Sequence, residues 1–273
     1  MSRPLLPSLL LCSLFACGGS DSPTSATTTA VSVVFPAGGT IFIGDAAQFE
    51  ARAMLSDGTT RTATNATWGS DNPAVATVSP AGLVTAIAAG QATIFADVNP
   101  RGTLLIRVYP SFGGTWTGTE VLTGCEATGA FQGICGDVGF ELGDLFDHRS
   151  TYMQNDAAVD AELDTGDGTS ASTTGTITID GELQLSSAPV LPPEPPVDAQ
   201  IQNWRARADT PSRMTGTYEG SFTAPGIPGS VTIGIRLQDV VRSSAAATQR
   251  SRAGHTTFAQ AISRMVTRLE AAR

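Results

Sequence analysis

The sequence predicts an all-β protein: a sandwich of two antiparallel sheets, then a second antiparallel β-domain, then a short C-terminal helix or tail. Three observations predict this. The chain has 273 residues, enough for two hydrophobic cores. Its 29 glycines and 16 prolines punctuate it densely. Between them Thr, Ser and Val recur in short runs, a pattern of many short strands and turns, not of long helices.

Charge narrows the function. The formal net charge is -9, and every one of the 16 basic residues is Arg. Residues 17–241 hold nine arginines against 24 acids, whereas residues 242–273 hold six arginines against one acid. An acidic body argues against a nucleic-acid partner, because phosphate binding needs clustered positive charge.

The N-terminus reads as an address. Arg3 precedes a mostly apolar run from Leu5 to Phe15, which is too short to span a bilayer and has the length of a signal-peptide core. The run closes with Leu14-Phe15-Ala16-Cys17 and continues as Gly18-Gly19-Ser20. This resembles the lipobox of bacterial lipoproteins. The resemblance implies a signal peptide over 1–16, lipidation of Cys17 and a lipid anchor to the membrane. Gly18 after the cysteine implies the outer membrane, on its periplasmic or its surface side. An ordinary secretory signal cut near Ala16 is the alternative. Each buried acyl methylene adds roughly 0.8 kcal/mol of membrane affinity, so several chains anchor firmly. Residues 17–30, rich in Gly, Ser, Asp and Thr, read as a flexible tether. With Cys12 in the signal and Cys17 lipidated, Cys125 and Cys135 remain, and an exported chain is expected to pair them as a disulfide.

Residues 31–109 read as successive short strands: Val31 to Phe35, Thr40 to Ile43, Gln48 to Leu55, then segments around Trp68, Val75 and Val78, Leu83, Ala92 to Val98 and Leu104 to Val108. Turn signals at such intervals imply a two-sheet sandwich. Within this stretch, Gly44-Asp45 before Gln48-Phe49-Glu50-Ala51, Trp68-Gly69-Ser70-Asp71-Asn72-Pro73 to Val78, Gly82-Leu83-Val84-Thr85-Ala86 and Ala89-Gly90-Gln91-Ala92-Thr93-Ile94 resemble, in order and spacing, the blocks of bacterial Ig-like group 2 domains. The resemblance implies an immunoglobulin-like sandwich with Trp68 as a core anchor and turns at Gly82 and Gly90. Members of that family occur in adhesins and other surface proteins, often as spacers.

Residues 112–241 read as a second β-domain of turn-separated segments. These are Ala130 to Gly136, Val138 to Leu142, Ser150 to Gln154, Val159 to Leu163, Thr174 to Ile179, Glu182 to Leu185, Ala199 to Ala208, Met214 to Thr223 and Ser230 to Leu237. Gly114-Thr-Trp116-Thr-Gly118 is echoed by Gly216-Thr-Tyr218-Glu-Gly220, as if the first and last strands of a closed meander paired. The opening resembles, over a few residues, the Gly-x-Trp start of lipocalin-like barrels, which implies a barrel able to hold one small ligand. A packed β-domain without a cavity fits the same residues.

The sequence selects no catalytic residue, metal site or cofactor. His148 sits in Asp147-His148-Arg149, where solvent can satisfy it, and no Gly-x-Ser-x-Gly elbow supplies a nucleophile. Asp160, Glu162 and Asp164 share a strand face, lack EF-hand spacing and read as a solvated acidic surface. The candidate ligand contacts are Trp204, Arg205 and Arg207. In the basic tail, 242–273, Phe258, Ile262, Met265 and Leu269 fall at helical spacing. The expected function is a non-enzymatic envelope or cell-surface lipoprotein with a structural or adhesive role, its partner a glycan or surface protein. The alternative is a small-ligand or glycan binder acting through the second domain, and the least favoured is an envelope hydrolase using the acidic cluster.

Overall fold

The computed structural model describes residues 26–35, 40–166, 169–190, 197–243 and 267–268. The expected signal, Cys17 and most of the tether lie outside the described residues. So does the basic tail beyond 243, apart from Thr267 and Arg268, which are helical.

The first unit holds strands β1 (Thr28–Val34), β2 (Thr40–Phe42), β3 (Ala46–Gln48), β4 (Glu50–Leu55), β5 (Thr60–Thr62), β6 (Thr67–Ser70), β7 (Ala76–Val78), β8 (Leu83–Ala86), β9 (Gly90–Asp97) and β10 (Gly102–Tyr109). One layer has the order β2-β10-β9-β6; the facing strands pair as β1-β4-β5 and β3-β8-β7. Alternation along β9 buries Ala92, Ile94 and Ala96, and alternation along β4 buries Ala51 and Ala53. The run from Gln48 to Leu55, expected as one strand, is split at Phe49. Its fully buried ring stacks on Phe35 at 4.8 Å, and the chain changes pairing partner from β8 to β1.

The second unit is an eight-stranded closed barrel. Its strands are β11 (Gly114–Ala127), β12 (Leu145–Asn155), β13 (Ala158–Gly166), β14 (Thr169–Ile177), β15 (Glu182–Leu185), β17 (Asp198–Thr210), β18 (Arg213–Ala224) and β19 (Ile227–Arg242), with a two-residue β16 (Ala188–Pro189) beside β17. Each strand pairs with its neighbour in sequence, β15 pairs with β17, and β11 pairs with β19 to close the cylinder. Closure removes both sheet edges. Tight connections serve the meander: Asp156-Ala157, with Asp156 at φ +55°, joins β12 to β13, and Pro225-Gly226, with Gly226 at φ +76°, joins β18 to β19. The first and last strands do pair, but the second glycine–aromatic motif, Gly216 to Gly220, lies on β18, the penultimate strand.

The barrel interior is filled with side chains. Trp116, Leu122, Phe146, Tyr152, Leu183, Met214, Phe222, Val231 and Ile233 are all essentially inaccessible. The segment from 128 to 144 departs from the expected strands. It contains a 3-10 turn, Gly129–Phe131, and a four-residue helix α1, Ile134–Asp137, and then runs through turns to Leu145. Gly129 (φ +60°) and Gly133 (φ +87°) reverse the backbone where an extended strand would continue. Phe131, Ile134 and Val138 are buried against the barrel core, and Phe140 meets Phe146 edge-on at 6.3 Å. Cys125 of β11 and Cys135 of α1 form the expected disulfide, with a Cα–Cα distance of 6.1 Å.

The junction between the units is hydrogen-bonded. Phe112 N–H donates to Gln154 Oε1 at 2.6 Å, Gln154 Nε2 donates to Pro110 O at 3.1 Å, and Trp116 Nε1 donates to Phe112 O at 2.6 Å. The Arg242 guanidinium lies over the Trp116 ring, 4.9 Å from its centroid, and donates to Ser111 O.

Because the disulfide closes a loop of sequence separation 10, chain entropy gives it a stabilising contribution of about 2.5 kcal/mol. The Cys125→Ala/Cys135→Ala variant is expected to lower the unfolding free energy by that amount, read as a lower urea midpoint at unchanged m-value, while keeping its β-sheet circular dichroism. An unchanged midpoint would show that the bridge constrains nothing.

Candidate functional site

Strand alternation sends successive barrel residues to opposite faces, and two clusters of functional groups result, one inside and one outside. On β12, Phe146, His148, Ser150 and Tyr152 point inward. His148, expected to be satisfied by solvent, is 2 % exposed. Its Nδ1 lies 2.8 Å from Glu120 Oε1 and its Nε2 3.0 Å from Ser150 Oγ. The Tyr218 hydroxyl donates to Glu120 Oε2 at 2.7 Å. Trp204 stacks on both rings, 5.9 Å from His148 and 4.7 Å from Tyr218. Glu120 thus spends its two oxygens on partners from β12 and β18, as a buried carboxylate must.

The order Ser150–His148–Glu120 has the connectivity of a nucleophile, a base and an orienting acid. Ser150 is fully buried, however, and Trp204 stacks over the imidazole with Tyr218 stacked on its indole. In this arrangement the groups hold one another and present no reacting atom to solvent. Two further buried donors, Tyr152 Oη and Trp204 Nε1, make no hydrogen bond among the described residues; Tyr152 Oη lies near Ser150 without one. Burial holds both phenols well above the ordinary tyrosine range, and for Tyr218 the Glu120 charge and hydrogen bond add to it.

The outer cluster lies across β17, β18 and β19. Cross-strand register places Arg205 opposite Thr217 and Thr217 opposite Arg236, with Arg207 opposite Thr215 one pleat along. These residues, with Glu182, line a groove of about 400 Å³ whose floor is Ala206, Gly216 and Leu237. Arg205 Nη1 donates to Glu182 Oε1 at 3.0 Å; Arg207 Nη2 reaches Asp180 Oδ2 and Glu182 Oε2, each at 3.1 Å. The Gln184 amide, then Arg205 and Arg207, hold the Glu182 carboxyl below the usual carboxylate range. The Thr178 hydroxyl and Arg207 do the same for Asp180.

The three expected ligand contacts therefore do not form one surface. Arg205 and Arg207 face the groove, while Trp204 is 2 % exposed inside the barrel. The cause is period-two alternation, which sends Trp204 and Ala206 to one face and Arg205 and Arg207 to the other; a bulge at Gln202-Asn203, where Asn203 adopts φ +55° and the β17–β18 register slips, makes the Trp204 face the inner one. Arg236 and Thr217, not singled out from sequence, complete the outer row. Among the described residues, no group of three or more His, Cys, Asp or Glu side chains is placed to hold a metal ion.

In the sandwich, Gly82 sits at φ +81° where a Cβ would lie 2.9 Å from both Phe49 O and the Trp68 ring, and Gly90 sits at φ +146°. Trp68 is half-buried and packs on the core edge, not at its centre. Of the positions that the group 2 pattern marks, Gly82 and Gly90 thus take positive φ, while Trp68 is not the central anchor. Residues 40–103 match the family model of the bacterial Ig-like domain (group 2). No curated protein matches the chain. Two solved structures are similar over 85% of this chain and 42% of their own: surface layer protein SbsC, domains 1-6, at 9% identity and a TM-score of 0.27, and the S-layer protein rSbsC(31-844), at 10% identity and a TM-score of 0.26. This chain therefore spans less than half the length of either, and the barrel lies beyond the group 2 match.

The interior cluster makes stability depend on alkaline pH. An unfolded phenol ionises near pH 10, while the buried Tyr218 and Tyr152 stay protonated, so their contribution is intact below about pH 10 and falls as pH rises above it. Tyr218→Phe leaves Glu120 Oε2 without a donor and is expected to cost about 1–3 kcal/mol at pH 8. Tyr152→Phe, which removes a hydroxyl with no partner, is expected to be neutral or stabilising. Urea unfolding of both variants at pH 8 and pH 11 reads this out. Equal costs at pH 8 would contradict the hydrogen-bond assignment.

Proposed function

We propose that this protein is an exported, lipid-anchored component of the bacterial cell envelope. In this reading the group 2 Ig-like domain holds the barrel away from the membrane as a structural or adhesive display unit. The observation that carries it is a group 2 Ig-like domain followed directly by a closed barrel whose two cysteines are paired. That redox state belongs to an oxidising compartment, and the apolar run ending at Cys17 supplies both the export signal and the acylated residue. No helix among the described residues is long and apolar enough to cross a membrane; in this reading the acylated Cys17 provides the attachment. The expected location is the outer membrane, with a glycan or surface protein as partner.

A barrel enclosing a small hydrophobic ligand gains no support, because the interior positions are occupied by large side chains such as Trp116, Phe146, Met214 and Phe222.

Radiolabelled palmitate is expected to mark the wild-type protein and not Cys17→Ala, and wild type is expected to fractionate with the outer membrane while the variant is released to soluble fractions. Equal labelling of the two, or recovery of wild type from the cytosol with Cys125 and Cys135 as free thiols, would overturn the reading.

A further inference from the structure

We propose that the outer groove on β17–β19 is a binding site for a carboxylate-bearing polysaccharide, whose acidic group is received over Thr217 between Arg205 and Arg236.

The register supplies the geometry. Arg205, Thr217 and Arg236 lie directly opposite one another on three adjacent strands, so the two arginine Cα atoms are about 10 Å apart. Two guanidinium groups on flexible stems can converge on one anion from that separation, with the threonine hydroxyl beneath it. Arg207 lies opposite Thr215 one pleat along. Two bulges flank the face. One is at Gln202-Asn203; the other is in β19, where Asp239 adopts φ +52° and the register with β18 slips.

The charge points to an anion. Three of the nine arginines in residues 17–241 line this groove, in a body where acids outnumber arginines by more than two to one. Arg236 is exposed and makes no hydrogen bond or ion pair among the described residues. Arg205 spends one nitrogen on Glu182 and keeps the rest of its donors. Carboxylate fits best, because the groove's own Glu182 already sits against the Arg205 and Arg207 forks at 3.0 and 3.1 Å, with Asp180 beside it on Arg207.

A polysaccharide fits better than the other anionic polymers. An acidic peptide added as a strand would need a free sheet edge, and β18 is hydrogen-bonded on both sides. A nucleic acid would bring dense phosphate charge against an acidic body. An uronate-type chain offers spaced carboxylates, and its hydroxyls can pair with Thr215 and Thr217. The ligand class rests on the display reading above only in that surface placement would bring such a polymer to the groove.

The test uses the purified, detergent-solubilised full chain and titrates it with polygalacturonate, uncharged dextran and dextran sulfate. Wild type is expected to bind polygalacturonate, to bind it more weakly as salt is raised, and to ignore dextran. Arg236→Ala and Arg205→Ala are each expected to weaken that binding at least tenfold. Arg61→Ala, on exposed β5 of the other unit, is expected to leave it unchanged. No binding, wild-type binding by Arg236→Ala, or equally tight binding of dextran sulfate would overturn the proposal. Because binding is measured in solution, its failure leaves the palmitate and fractionation results standing, and failure of those leaves the binding result standing.

Discussion

The second half of the molecule depends on one ladder of backbone hydrogen bonds, that between β11 and β19. It joins the first strand of the meander to the last and leaves the barrel without an edge. It also decides which side chains are enclosed. Glu120 on β11 reaches Tyr218 on β18 only because β19 lies between those strands at the seam. An open sheet would leave the Glu120 carboxylate half in water and the Tyr218 phenol without its acceptor. Closure and the polar core therefore support each other: the ladder buries the charge, and the charge is tolerated because His148 and Tyr218 meet it from two directions.

The two units solve the problem of burying sheet faces in different ways. The sandwich faces layers rich in alanine, Ala51 and Ala53 on β4 against Ala92 and Ala96 on β9, with Phe49 and Ile94 filling the space between. Its turns need glycine where the backbone leaves the usual region, as at Gly82. The barrel instead fills a cylinder with large rings and covers it through the segment from 128 to 144, held by the disulfide and by Phe131, Ile134 and Val138. Its polar outer face is free to vary, which leaves room for an arginine row that contributes nothing to the core.

Much of the fold was legible in the sequence because it follows from period-two alternation between turn residues. Glu182 to Leu185 is a strand with those bounds, and the stretches around Ala161, Ala206 and Ile235 lie within strands. The segment from 130 to 142 was misread because its apolar residues carry no clear period; Gly129 and Gly133 were the signal of a turn, and Cys135 the signal of a covalent tie. The interior network was not legible, because its members are joined across 28 and 98 residues and adjacent strands must be known before they can meet. The grouping of Trp204 with Arg205 and Arg207 fails on alternation, which puts neighbouring strand residues on opposite faces, and one residue decides which face is the inner one. Asn203 in the left-handed region inserts a bulge that shifts the phase of β17, turning Trp204 inward and both arginines outward. Asn is among the residues that accept such a conformation most readily, so the signal was present but not decisive.

Amide hydrogen exchange across β11 and β19 tests barrel closure most directly. If the two strands are paired as described, their interior amides are expected to exchange as slowly as those of β12 and β18, through global unfolding alone. Fast exchange confined to facing amides of β11 and β19, with the other ladders protected, would show an open sheet and contradict the account.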